Sequence, residues 1–305
     1  MYALGIDIGG TKVALAVVDA HGTILADTRI PTDTTLAPAL MIDKIIHAAK
    51  DLIQQAQVDM VNLKGIGIGA PGPLNVKTGE ITSPPNLKNW RHVKIVEQFK
   101  QSFDLPIRLE NDANAAAIAE KWLGAGVGAT DFVYLTISTG IGAGIIANNQ
   151  LLTGAKGNAG DFGHTVIDPS FGVCSCGQRG CLEHICSGTA ISREGSRIKG
   201  ETLTTQEVFD LYLANDPEIT PYMISVLETL GAAVVTLINT FDPDRIILGG
   251  GVTKVGKPLF DAVKAYVSKY TLNPDASDTP VVLAKLDQNA GVIGAAGLIL
   301  IEEEQ

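Results

Sequence analysis

Apolar residues recur along this chain in two rhythms: short runs closed by glycine, and longer stretches with apolar positions three and four apart. ALGIDIGG, KVALAVVDA and TILADTRIP read as three strands joined by tight glycine or polar turns. LAPALMIDKIIHAAKDLIQQA reads as a helix with one apolar face. KGIGIGAPG, a helix around KIVEQFKQSF and the strand PIRLEND continue the alternation, so the first half is an α/β layer. After the helix AAAIAEKWLG the pattern restarts. DFVYLTISTGIGAGIIANNQLLTG repeats the plan of GIDIGGTKVALAVVDAHGTIL: apolar strand, Gly-rich turn, apolar strand, polar turn. A long helix near ISVLETLGAAVVTLINTF, the strand RIILGGGV, the helix PLFDAVKAYVSKY, the strand PVVLAKL and an apolar helix AGVIGAAGLILIEE follow. Two related α/β lobes that meet near residue 120 are expected.

Composition narrows the function classes. The 305 residues, 46% hydrophobic and 18% charged, suit a globular protein with sizeable cores. A net charge of -10 without any Lys/Arg run argues against a nucleic-acid surface. The first residues lack the basic start and cleavage site of a secretory signal, and no stretch approaches about 18 uncharged apolar residues. A cytoplasmic protein without a membrane partner is expected. Disulfides are rare in that compartment, so Cys174, Cys176, Cys181 and Cys186 read first as metal ligands or core thiols.

The Gly-rich turns carry the first chemical signal. In DIGGTK, Asp7 ends a strand, Gly9 and Gly10 admit a ligand close to the backbone, and Thr11 and Lys12 add a hydroxyl and a cation. A single Gly-Gly pair also reads as a plain hairpin. STGIGAG at 138–144 and LGGGV at 248–252, each directly after an apolar strand, shift the weight towards a nucleotide polyphosphate clamped between two lobes. Neither GxxxxGK[ST] nor GxGxxG occurs. The second signal is LENDANAAAIAE. Asp112 lies between a strand and an Ala-rich helix, where it is either an N-cap or a cleft carboxylate able to accept a proton from an attacking alcohol. Asn111 beside it suits a polyhydroxylated ligand.

GDFGHTVIDPSFGVCSCGQRGCLEH concentrates cysteine and histidine in a chain that has few of either. His164, Cys174, Cys176 and Cys181 make the Cys3His set of structural zinc, although the spacing is not that of ordinary zinc fingers, and Gly177 and Gly180 let the loop fold around a metal. Cys186, in the apolar-flanked HICSG, reads as a core thiol, and His184 as a surface residue.

Together DIGGTK, GAPGPL, SPPNLKNW, LENDANAAAIAE, STGIGAG, GDFGH, CSCGQRGCLE, FDPDRIILGGG and AGVIGAAG resemble the ROK family of repressors, open reading frames and sugar kinases, in family order from residue 5 to about 297. The resemblance implies an actin-like ATPase (ribonuclease H-like) fold with two duplicated α/β lobes around a cleft. Residues 1–119 would form the first lobe, completed by the C-terminal helix 290–305, and 120–289 the second, with a zinc-binding loop at 164–181. It implies an ATP-dependent kinase, glucokinase first, that phosphorylates a hexose at C6 with Mg2+. The alternatives are an N-acetylmannosamine, N-acetylglucosamine or fructose kinase, or a sugar-responsive repressor without its DNA-binding domain; the strand beginning at residue 2 and the acidic balance favour the kinase.

Carried onto this sequence, the resemblance makes Asp112 the general base. Gly72, Asn86, Asn111, Asp112, Asp161, His164 and Glu183 become substrate contacts. Asp7 would orient Mg2+, Gly9, Gly10, Thr11 and Lys12 would face the phosphates, Thr139, Gly140 and Gly142 would form the opposing turn, and Gly249, Gly250 and Gly251 would lie near the nucleoside. His164 would bind zinc through one nitrogen and approach the anomeric side of the sugar with the other. A homodimer is implied. One departure stands out: Asp161 in DFGH replaces the Glu usual in family kinases, shortening the reach by about 1.5 Å.

Overall fold

The computed structural model describes residues 1–286 and 289–301. The expected extension of the last helix over 302–305, and residues 287–288 of the expected second lobe, lie outside the described residues. The chain divides into two compact units. Unit 1 comprises Met1–Val127, Leu151–Gly160 and the C-terminal segment that carries the last helix; unit 2 comprises Gly128–Gln150 and the chain from Asp161 to the last strand. The crossing thus falls a few residues after 120, and a ten-residue stretch of the second half belongs with the first.

Unit 1 is built on β1 (Tyr2–Ile8), β2 (Lys12–Asp19), β3 (Ile24–Pro31), β4 (Leu63–Ala70) and β7 (Ile107–Asn111), in sheet order β3-β2-β1-β4-β7. A two-stranded hairpin, β5 (Leu74–Asn75) and β6 (Glu80–Ile81), follows β4. The helices are α1 (Pro38–Gln55), α2 (Ile95–Lys100) and α3 (Asp112–Leu123). In unit 2, β8 (Phe132–Ile137), β9 (Ile141–Ala147), β10 (Gln150–Leu151), β11 (Arg245–Gly249) and β12 (Val281–Leu283) form a sheet of order β10-β9-β8-β11-β12. Its helices are α4 (Leu182–Cys186), α5 (Gly188–Lys199), α6 (Thr205–Leu213), α7 (Ile219–Phe241) and α8 (Lys257–Tyr270); α9 (Ala290–Leu300) returns to unit 1. The two sheets share one plan: the first strand pairs antiparallel with the second and parallel with the fourth, and the fourth pairs parallel with the fifth. This is the repeat expected from the sequence.

The two-residue period of β1 sorts its faces. Leu4, Ile6 and Ile8 join α1 and α2 residues such as Met41, Ile45 and Phe99 in a core of large side chains. Ala3, Gly5 and Asp7 alternate with them, and β4 likewise places Gly65, Gly67 and Gly69 between its isoleucines. That small-residue face receives α9. A Cβ at Gly5 or Gly67 would run into the backbone of Val292 or Ala295, and one at Gly294 into the carbonyl of Ala115 in α3. Glycine is required here because backbones touch.

In unit 2 the core is aliphatic, with Val133, Leu135, Leu230, Val234, Leu237 and Leu248 among its members. By length and composition α7 could cross a bilayer, although no such segment is expected from the sequence; it buries Met223, Val226, Leu227, Leu230 and Ile238 in this core. Two helices of this unit begin at side-chain caps. Ser187 caps α5, and Thr204 with Glu207 forms a reciprocal capping box on α6.

Candidate active site

In unit 1 the candidate residues gather at the carboxyl ends of three parallel strands. Asp7 on β1 pairs with Gly69 on β4, and Gly69 with Glu110 on β7. Ligands in open α/β sheets bind at this edge. Gly72 follows β4 by two residues, and Asn111 and Asp112 close β7 and open α3.

The β7–α3 junction corrects the capping expectation for Asp112. The N-cap is Asn111, whose Oδ1 accepts the N–H groups of Ala113 (2.9 Å) and Asn114 (3.2 Å); Asp112 is the first helical residue, its Oδ1 taking the Ala113 N–H at 2.8 Å. Behind the pair lies a carboxylate that the sequence reading did not single out. Glu110, 6% exposed, accepts the Asn111 N–H at 2.8 Å and the amide of fully buried Asn114 at 2.9 Å. Burial raises the Glu110 carboxyl above its ordinary range, against these two bonds. The signal available was an asparagine at 114 inside an Ala-rich helix, a position that costs helix stability unless its amide finds a partner.

The β1–β2 turn is braced from its own hairpin. Gly9 N–H donates to the Lys12 carbonyl (2.9 Å), Thr32 N–H to that of Thr11 (3.0 Å), and the Thr32 hydroxyl to that of Gly9 (2.7 Å). Gly10 lies against Asn86, where an added Cβ would stand 3.3 Å from the Asn86 Cβ, so DIGGTK and SPPNLKNW meet; Thr11, Lys12 and Asn86 are exposed. The Asp7 carboxylate points at the start of α9, where a Cβ on Gly291 would collide with Oδ2. Burial pushes its carboxyl up to about 6, with Lys12 opposing, and it forms no hydrogen bond among the described residues.

In unit 2 two Gly-rich turns lie side by side, because β8 and β11 are parallel neighbours whose pairing ends at Thr136 and Gly249. Gly250 adopts φ +88° and presses on the Ile137 carbonyl, and a Cβ on Gly251 would stand 3.8 Å from Ser138 Oγ. Thr139 and Gly140 complete the β8–β9 turn, and Gly142 opposes Thr136 within β9. Asp161 is exposed, and its carboxyl is raised by desolvation, with Glu183 adding and His164 opposing; these three groups share one field.

His164, Cys174, Cys176 and Cys181 come together as the sequence predicts: one donor atom from each lies within 4.8 Å of the others. His164 Nδ1 is 3.7 Å from Cys174 Sγ, and Cys176 Sγ is 3.6 Å from Cys181 Sγ. Sulfurs around a tetrahedral zinc stand about 3.8 Å apart, given bonds of about 2.3 Å, so the donor set fits that ion. Burial and the neighbouring thiols push the Cys181 thiol up to about 12. Gly177 and Gly180 take positive φ, +90° and +77°, as the turn requires. Cys186 is a core thiol whose Sγ reaches the Val226 carbonyl, and burial raises its pKa. His184 is half-buried between Gly172 and Arg193.

Two equivalent sheets, each with glycine turns at the carboxyl ends of its parallel strands, define the actin-like ATPase fold. A crystal structure of a ROK family glucokinase from Streptomyces griseus in complex with glucose and AMPPNP matches with a TM-score of 0.82 at 31% identity, covering 98% of this chain and 99% of that one. A glucokinase of Halalkalibacterium halodurans is 34% identical, with 99% of this chain and 96% of the relative covered. A xylose repressor of Caldicellulosiruptor bescii is 32% identical over 97% of this chain and 77% of its own length. The ROK family model matches residues 3–302, and the chain belongs to the ROK family.

Proposed function

We propose that this chain transfers the γ-phosphoryl group of ATP to the C6 hydroxyl of a hexose, converting glucose to glucose 6-phosphate and releasing ADP. The observation that carries this reading is the β7–α3 junction: Asn111 is the helix cap, and Asp112, the first residue of α3, lies at the carboxyl end of the sheet, the edge where open α/β folds bind ligands. Similarity to glucokinases over nearly the whole chain supports the same reaction.

In this reading Asp112 accepts the C6 hydroxyl proton as the new O–P bond forms and the bond from the γ-phosphorus to the bridging oxygen of ADP breaks. Gly9, Gly10, Thr11 and Lys12 are read as phosphate contacts, as are Thr139, Gly140 and Gly142, and Gly249, Gly250 and Gly251 as neighbours of the nucleoside. Asp7, a half-buried carboxylate that forms no hydrogen bond among the described residues, has the character of an Mg2+ partner. The ion, when bound, offsets phosphate charge.

Gly72, Asn86, Asn111, Asp161, His164 and Glu183 contact the sugar. Asn111 offers its Nδ2, since Oδ1 serves the cap. His164 turns Nδ1 to the thiols and so keeps Nε2 for the anomeric side. Zinc held by His164, Cys174, Cys176 and Cys181 fixes the loop and does no chemistry. The enzyme is read as a cytoplasmic homodimer that needs neither nucleic acid nor membrane.

The test is ADP release against a panel of glucose, mannose, fructose and N-acetylhexosamines. Glucose is expected to give the highest kcat/KM. The xylose-repressor similarity supports a second reading, sugar binding without turnover. Sugar affinity with no ADP release from any panel member would establish that reading and end the kinase one.

A further inference from the structure

The β8–β9 turn is held by residues that adjoin the metal-ligand set. The Ile141 N–H donates to Glu183 Oε2 at 3.0 Å, and a Cβ on Gly140 would collide with the same oxygen. On its other side, the Ile141 carbonyl lies against Gly163, where no Cβ fits. Gly163 immediately precedes His164, and Glu183 follows Cys181 by two residues in α4, whose N-cap is Cys181 itself. The two holding segments are also tied to each other. Leu182 N–H donates to the Thr165 carbonyl at 3.0 Å, and Val166 bridges Cys181. At the end of α4 the chain returns once more, with Gly188 N–H donating to the Ser138 carbonyl at 2.8 Å.

We infer that Glu183 and Gly163 are positioning residues for the nucleotide, holding the phosphate turn at Ile141 from both sides and making the metal-ligand segment and that turn one mechanical unit. The inference rests on the reading of Thr139–Gly142 as a phosphate turn. It gives Glu183 a task that does not involve sugar. A backbone N–H held by a carboxylate makes a hydrogen bond about twice as strong as a neutral one. That bond fixes where the neighbouring N–H groups of the turn point before ATP arrives, and pre-organised donors are what a phosphate site needs. The absence of Cβ at residue 163 lets the His164 segment sit on the strand start at backbone distance.

The test measures two quantities on full-length, metal-loaded protein without sugar: hydrogen exchange of the Ile141 amide, and calorimetric binding of Mg-AMPPNP. Glu183→Ala is expected to speed exchange at Ile141 about tenfold or more and to weaken nucleotide binding by a similar factor. Glu183→Gln, which keeps an acceptor oxygen, recovers most of both. Gly163→Ala is expected to shift both readouts in the same direction with metal content unchanged, and it carries the test if Glu183→Ala does not fold. A Glu183 that serves sugar alone predicts native nucleotide affinity and native exchange in both Glu183 variants; that result in folded protein overturns the inference for Glu183, and native readouts in folded Gly163→Ala overturn it for Gly163. If the unmodified protein binds no nucleotide, the phosphate-turn reading has failed, and exchange at Ile141 still reports whether the tie exists.

Discussion

The β1–β2 turn and the β8–β9 turn sit at the same place in two sheets of the same strand order, yet they are secured by different means. The first is closed by its own backbone and by Thr32 at the end of the neighbouring strand. The second is secured from an insertion: Glu183, Gly163 and Gly188 all lie in the long segment between β10 and β11, where unit 1 has α1 and a short 3-10 turn between β3 and β4. Asymmetry also appears after the fifth strand. β7 runs directly into α3 and puts Asp112 at the sheet edge, whereas the chain beyond β12 goes on to α9, which packs in unit 1. One plan used twice has thus been divided by labour. In the proposed reading unit 1 holds the base Asp112 and the Mg2+ partner Asp7, and unit 2 holds the turn that Glu183 and Gly163 brace.

The hardest blow to that division falls at Asp112. Asp112→Asn should keep its melting temperature, because the cap is Asn111, and lose about 10²- to 10⁴-fold in turnover. Unchanged kcat in ADP release would strip unit 1 of its base.

Next comes Asp7→Asn, expected to lower turnover by about 10²-fold through weakened Mg2+ placement, since such ions contribute several kcal/mol of charge stabilisation. Here the sign of the pH effect is fixed by burial. A carboxyl raised from 3.8 to about 6 in the fold binds its proton more tightly folded than unfolded. Its contribution therefore favours the fold at low pH and is lost as pH rises through about 6. Without nucleotide, the Asn variant should melt higher than the native protein at pH 8 and show no such gain at pH 4. Mg2+ should hold the Asp7 carboxyl below its metal-free value of about 6, so the loss of turnover on acidification should begin at higher pH when Mg2+ is limiting than when it is saturating.

The grip of unit 2 is tested by its cysteines. Metal analysis should find about one zinc per chain. Cys181→Ser should lose it and melt lower, because structural metal binding is folding energy. Cys186→Ser should keep it. Native zinc content in Cys181→Ser would separate the turn from the metal altogether. The smallest effect is expected at Asp161→Glu, a few-fold fall in kcat/KM for glucose from crowding by the added methylene. A gain for glucose would show that the shorter side chain serves another hexose.

Much of this architecture is legible in the chain. The strands around DIGGTK and STGIGAG, the long α7 stretch and the Cys3His set are found where their patterns put them. Four things are not so easily read. α5 opens on Gly188 and carries many polar residues, so its amphipathic face is thin, although Ser187 marks its cap. α6 announces itself by T-x-x-E at Thr204 and Glu207, a signal overshadowed by the cysteine loop before it. At LENDAN, adjacent Asn and Asp are near-equivalent as caps, and only the observed bonds assign the role to Asn111. Contacts such as Gly163 on Ile141 and Gly291 on Asp7 depend on tertiary approach, which no local pattern encodes.

The bare-backbone seat of α9 on β1 and β4 has a consequence for the order of events during synthesis. Residues 3–8 leave the ribosome well over 250 residues ahead of the surface they are shaped to meet, Val292 to Ala296. Long sequence separation of this kind delays closure, since the chain entropy must be spent before the contact repays it. Unit 2, whose segments lie wholly inside that span, is free to fold while the first sheet still lacks its cover. Unit 1, whose first strands are made early, is therefore the unit that is completed second.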